Sequence, residues 1–189
     1  MTDILVVNAG SSSIKFALFG APTGAGLQPE LSGEVTEIGG AAELRIGQAR
    51  APCDAPDHKA ALAACLAALK SRGVEPGALQ AAAHRVVHGG SALVATCRIT
   101  PAVVAQIEAC AALAPLHNPA NLAAIRALGA LVPDLAQYAS FDTAFHATMP
   151  DVAARYALPP EAEALGLRRF GFHGISYASL VARLPGLTG

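Results

Sequence analysis

Ile4-Leu-Val-Val-Asn8-Ala-Gly-Ser-Ser-Ser13-Ile-Lys15-Phe-Ala-Leu-Phe19 is the stretch that decides how this chain is read. Two β-rich runs, Ile4 to Asn8 and Ser13 to Phe19, flank Ala9-Gly-Ser-Ser12, the pattern of a hairpin closed by a glycine-containing turn. Such a turn exposes several backbone N–H groups and hydroxyls, and a lysine follows on the next strand, so the concavity suits a phosphate. It is not a Walker A loop, because GxxxxGK[ST] is absent and a strand follows instead of a helix. By spacing alone an ordinary hairpin turn is the better reading. The polar Asn8 closing an apolar strand shifts it toward function, since a side-chain amide can hold a metal-bound water.

Outward from the hairpin, the pattern predicts a turn-rich stretch over Gly20 to Gln28 and two weaker strands, Leu31 to Ile38 and Glu43 to Gln48. Asp57 to Gly73 has an acidic start, Leu62, Leu66 and Leu69 at helical spacing, and a closing glycine. Ala81 to Gly90 reads as a buried strand running into a glycine turn. Thr100-Pro101 starts a helix with Thr100 as cap, and Asn118-Pro119 repeats the signal for a helix to about Leu128. Tyr138 to Phe141 is a short strand ending at Asp142. Alternating strands and helices define an α/β protein, and the opening hairpins make its sheet mixed. Pro150 to Leu165, with Pro159-Pro160, reads as a crossing segment. Residues 1–150 are therefore expected to form one domain and 151–189 the start of a second, since so short a tail buries no core of its own.

Composition narrows the function. Of 189 residues, 13 are Lys or Arg and 14 Asp or Glu, so the net charge is 13 − 14 = −1. That balance argues against nucleic acid and against anionic membrane surfaces. Mean hydropathy is +0.43, but the longest apolar stretch, Pro101 to Leu116, is interrupted by Glu108, and no signal-peptide pattern opens the chain. A cytoplasmic protein is expected. The four cysteines, Cys53, Cys65, Cys97 and Cys110, have no CxxC spacing, which points to free, mostly buried thiols.

Further along lie four segments with chemistry in them. His84-Arg85-Val-Val-His88-Gly89-Gly90 places a guanidinium in an apolar strand, where it needs either a structural carboxylate or an anionic ligand. Leu116-His117-Asn118-Pro119 fits a plain helix start. Phe141-Asp142-Thr-Ala-Phe-His146 puts a carboxylate at the C-terminal end of a strand, where ligands sit in open α/β sheets, although Asp142 would serve equally as a helix cap. Arg168-Arg-Phe-Gly-Phe-His173-Gly174 is a glycine-flanked loop in which a lone histidine is ordinarily structural.

Taken together, these segments resemble the acetokinase family, part of the acetate and sugar kinase, Hsp70 and actin superfamily. Two family signatures match Asn8 to Lys15 and His84 to Gly90. The resemblance continues, in order, through Ala114-Pro-Leu-His-Asn-Pro119, Ser140-Phe-Asp-Thr-Ala-Phe-His146 and Arg169-Phe-Gly-Phe-His-Gly174. The departures are Ile175 and Tyr177, where the family usually shows Thr and His. The resemblance implies an actin-like ATPase (ribonuclease H-like) domain with a mixed sheet flanked by helices, followed by the start of a truncated second domain.

It also implies roles. Asn8 would lie near Mg²⁺, with Ser11, Ser13 and Lys15 near the phosphates of ATP. Arg85 would hold the acyl carboxylate, while Val87, Leu116 and Phe172 line a small pocket for its methyl group. Asp142 would be the catalytic carboxylate, His173 would bind the transferring phosphoryl group, and His117 would support the acyl side. The implied reaction is Mg²⁺-dependent, in-line transfer between ATP and acetate, giving acetyl phosphate and ADP, in a protein about twice this length and homodimeric when full length. The adenosine-binding loops, a second arginine and a metal-binding glutamate would fall beyond Gly189, so the fragment alone is expected to be inactive. Propionate or butyrate kinase is the nearer alternative, and a non-catalytic single-lobe binding module the more distant one.

Overall fold

In a computed structural model, residues 3–21, 27–159, 161 and 165–188 are described. Parts of the turn-rich stretch (22–26) and of the predicted crossing segment (160 and 162–164) lie outside them. The opening hairpin forms as β1 (Ile4–Ala9) and β2 (Ile14–Phe19), antiparallel and in a register that sets Asn8 opposite Lys15. β3 (Leu31–Thr36), β4 (Glu43–Ile46) and β5 (Ala49–Pro52) extend this meander. On the other side, β6 (Ala81–Val86) pairs parallel with β1, β8 (Gln137–Phe141) pairs parallel with β6, and β7 (Cys97–Arg98) closes the edge antiparallel to β8. The sheet order is β5-β4-β3-β2-β1-β6-β8-β7. β5 and β7 were not expected: β5 is exposed at all four positions and has no apolar alternation, and β7 is two residues long.

The helices follow their sequence signals. α1 (His58–Lys70) is capped by Asp57, whose carboxylate accepts from Ala60 N–H at 2.8 Å. α2 (Pro101–Ala109) is capped by Thr100 and has proline in its first turn. α3 (Asn118–Leu131) starts at Asn118-Pro119 but runs three residues past the expected Leu128. The predicted crossing segment contains a short helix, α4 (Asp151–Ala154), and α5 (Gly174–Thr188) follows.

Strand alternation decides which face each residue takes. Leu5, Val7, Ile14, Phe16, Leu18, Val35 and Ala82 face α1 and α3, where Leu62, Leu69, Ala124 and Leu128 complete the core. A second cluster joins Val86, Ala139 and Phe141 to Ile107, Leu122 and Ile125. The opposite face carries a polar row. Asn8 stands opposite Lys15, Val7 opposite His84, and Arg85 opposite Ser140, so Lys15, Asn8, Arg85 and Ser140 share one face across four strands. The cysteines are free, but only Cys65 is fully buried; Cys53, Cys97 and Cys110 are half-buried. Cys97 lies on the two-residue edge strand β7, and Cys53 and Cys110 directly follow β5 and α2.

Candidate active site

The site grows from the C-terminal ends of β1, β6 and β8. Arg85, near the end of β6, forks onto Asp142, the residue after β8. Its Nε lies 3.1 Å from each carboxylate oxygen and its Nη2 2.6 Å from Oδ2. Nη1 donates to Asn8 Oδ1 at 3.1 Å. The Asp142 side chain is 2% exposed and that of Arg85 35%. Of the two partners the sequence leaves open for Arg85, the structure supplies the carboxylate. The same guanidinium also borders a cavity of about 410 Å³, lined as well by Val87, Leu116, His117, Asp142, Phe172 and His173. The seven residues expected on the acyl and catalytic side are thus neighbours, although four separate stretches of chain carry them.

The residues expected on the phosphate side sit elsewhere on the same face. Ser11 is exposed at the β1–β2 turn, Ser13 is half-buried beside it, and Lys15 is exposed on β2. Lys15 borders a separate hollow of about 260 Å³ with Ser32, Glu34 and Arg45. A larger hollow of about 630 Å³ shares only Leu113 and Phe172 with the Arg85 cavity. It has no carboxylate among its described lining residues, whereas the paired Arg85 and Asp142 both border the smaller cavity.

Two asparagines on α3 align the strand ends. Asn121 Oδ1 accepts from Val87 N–H at 3.1 Å and its Nδ2 donates to the Ala9 carbonyl at 2.7 Å. Asn118 Oδ1 accepts from His88 N–H at 3.1 Å and its Nδ2 donates to the His88 carbonyl at 3.0 Å. Both side chains are fully buried. Asn118 therefore ties the helix to the loop after β6 instead of capping α3; the preceding His117 holds the cap position without a side-chain bond. Sequence reading missed the pair because an Asn-Pro at a helix start looks like an ordinary cap. The signal available was a second asparagine three residues on, which points to the same buried face.

A loop from after residue 168 brings His173 to the cavity. Gly174 N–H donates to the Asp142 carbonyl at 2.8 Å, and a side chain at 174 would run into that carbonyl oxygen and into Phe145. His146 Nε2 bonds the Phe172 carbonyl at 3.0 Å. His173 has φ +58°, the left-handed region that a branched or bulky residue avoids. His88, behind the cavity, is packed edge-on against Phe170 and Phe172 at 4.6 and 5.7 Å, and burial pushes its imidazole below the usual value. Among the described residues no three His, Cys, Asp or Glu side chains cluster as a metal cage. The donor set that Mg²⁺ would meet is one carboxylate, Asp142, and one amide oxygen, Asn8, both converging on Arg85. Hard oxygen donors in that number fit an ion held mainly by water and substrate phosphates.

The fold and this cleft define one lobe of an actin-like ATPase fold. The chain belongs to the acetokinase family, whose profile matches residues 3–186. It is 43% identical to an acetate kinase of Rhodopseudomonas palustris strain TIE-1, covering 100% of this chain and 50% of that protein. With an acetate kinase of Deinococcus deserti the identity is 44% over 98% of this chain and 47% of that protein. Among solved structures, the acetate kinase of Porphyromonas gingivalis superposes with a TM-score of 0.87 at 37% identity, covering 97% of this chain and 48% of that one. A propionate kinase from Francisella tularensis gives 0.84 at 35%, covering 94% and 46%. The chain spans about half the length of the relatives it matches. No helix among the described residues is long and apolar enough to cross a membrane.

Proposed function

We propose that this chain is the acyl-binding half of a cytoplasmic, homodimeric kinase that moves a phosphoryl group between ATP and acetate, forming acetyl phosphate and ADP. The observation that carries the reading is the convergence of Arg85, Asp142, His173 and the apolar Val87, Leu116 and Phe172 on one cavity. Acetate is ionised at neutral pH, so its oxygen needs no general base. What it needs is alignment with the γ-phosphorus and neutral surroundings for the phosphoryl oxygens. Arg85 orients the carboxylate, while Val87, Leu116 and Phe172 contact the methyl end. His173 stands where it can donate to a phosphoryl oxygen, and Lys15 with the Ser11–Ser13 turn faces the remaining phosphates. Mg²⁺, when bound near Asn8 and Asp142, would offset charge on the β- and γ-oxygens.

Asp142 is already engaged by Arg85, so its role is to hold the guanidinium in register and present an oxygen toward the metal side, not to take a proton. The test is a hydroxamate assay for acyl phosphate on the protein carrying both halves, with acetate, propionate and butyrate. Acetate in first place supports the reading, and no acyl phosphate from any of the three sinks it. Propionate preference would instead favour the activity named for the Francisella relative. The 189-residue chain alone is expected to yield none, because phosphoryl transfer requires a second wall to close on the nucleotide and exclude water.

A further inference from the structure

His58, the first residue of α1, reaches across 48 residues of sequence to place Nε2 at 2.7 Å from the Gly10 carbonyl. Nothing in the motif at Asn8 to Lys15 calls for it. Around that turn three further carbonyls find partners. Ala9 O accepts from Asn121 Nδ2 at 2.7 Å, Ser12 O from Ile38 N–H at 3.0 Å, and Ser13 O from Gly10 N–H at 2.7 Å. His58 is the side chain that does this for the peptide joining Gly10 to Ser11. In a trans peptide the C=O and N–H point in opposite directions. Holding the Gly10 carbonyl toward α1 therefore turns the Ser11 N–H away from the helix layer. Ser11 is exposed there, beside the polar row of the sheet.

We propose that His58 is a positioning residue: by holding the Gly10 carbonyl, it aims the Ser11 N–H outward as a donor for a phosphate oxygen. The inference rests on the reading of this turn as the phosphate side of the site. A carbonyl released from His58 lets the Gly10–Ser11 peptide rotate, and glycine at position 10 leaves that rotation with little steric resistance. The turn then presents an acceptor where a donor is required, which repels an anion. The nitrogen facing Gly10 must carry the proton, so His58 acts as the Nε2–H tautomer or as the imidazolium.

The test titrates inorganic phosphate into the 189-residue chain and follows the backbone amides of Gly10 to Ser13 by NMR, alongside acetate read at Val87 and Phe172. The expected result is a phosphate-induced shift at Ser11 whose affinity falls about three- to tenfold in His58→Ala, the fold-change for one lost neutral hydrogen bond. His58→Gln, which keeps a side-chain N–H donor, restores most of it, and acetate binding is unchanged in both. An unaltered phosphate affinity in His58→Ala overturns the proposal, as does a wild-type Ser11 amide that ignores phosphate. Should His58→Ala not fold, His58→Asn, whose amide is too short to reach Gly10, takes its place. The acetate arm reports separately on the Arg85 cavity, so a wild-type Ser11 amide that ignores phosphate, or an unaltered phosphate affinity in His58→Ala, with acetate binding intact rejects the role of His58 without touching the carboxylate site.

Discussion

Arg85, on β6, and Asp142, the residue after β8, lie 57 residues apart in sequence, yet their side chains meet in a forked ion pair, with Nη2 2.6 Å from Oδ2 and Nε 3.1 Å from both oxygens. The pair is asymmetric: the carboxylate is almost wholly buried, and the guanidinium opens onto the cavity. On the proposed function, a ligand carboxylate arriving at Arg85 would meet a cation already oriented by its neighbour, so little of its binding energy would be used to order the side chain.

Removing Arg85 strands a buried charge. Arg85→Ala should destabilise the chain by about 3 kcal/mol, within the range for breaking a buried pair from one side. Arg85→Met with Asp142→Asn should recover a good part of that loss. Urea unfolding of the two variants measures it, and equal losses for the single and the double variant would show that the pair is not coupled. In the protein with both halves, Arg85→Ala should lower kcat/KM for acetate by about 10- to 100-fold, mostly through KM.

His84 sets an acid limit on stability. It is buried on β6 facing the helices, where the Gln137 amide donates to its Nε2 at 2.8 Å and also bonds Ile125 O and Gly129 N–H. Burial lowers its pKa from 6.5 to about 4. The unfolded chain binds the proton first, so stability is complete above about pH 6.5 and falls as pH drops toward 4. The loss approaches about 3 kcal/mol. Unfolding free energies across that range should follow this slope, and His84→Leu should flatten it.

Asn121 joins two strand ends through one side chain. Asn121→Leu leaves Val87 N–H and the Ala9 carbonyl without their partner and should cost about 2–4 kcal/mol. Hydrogen exchange at Val87 should accelerate in that variant. Unchanged exchange there would place the strand alignment elsewhere.

His173 trades stability for position. Its φ of +58° should make His173→Asn neutral to about 1 kcal/mol stabilising, because asparagine tolerates the left-handed region better. The same variant should depress acyl phosphate formation in the two-half protein by at least tenfold, if the imidazole contacts the phosphoryl group as proposed. A stability gain with normal turnover would make His173 a loop residue only. Gly174→Ala should be worse on both counts, since its Cβ meets the Asp142 carbonyl.

Much of this was legible in the residue order. Two β-rich runs on either side of a glycine-containing turn placed β1 and β2, cap-and-proline pairs placed the starts of α2 and α3, and five ordered motifs named the family. These are local signals, carried by neighbours within a few residues, which backbone sterics and burial translate directly into strand or helix. The edge strands β5 and β7 had no such signal, because exposed or very short strands are stabilised by a partner and not by their own pattern.

The tertiary structure alone decided the pairings. Nothing near Arg85 in sequence distinguishes a structural carboxylate from a ligand, and its partner lies 57 residues away. Asn118 reads as a helix cap until β6 is seen packed under it, and His58 reads as a helix residue until Gly10 is found within hydrogen-bond reach. A polar side chain is satisfied by whatever the fold brings to it. Which residues can play a role in this site was therefore written in their chemical types, while which of them do so depended on strand order and on how α1 and α3 lie across the sheet.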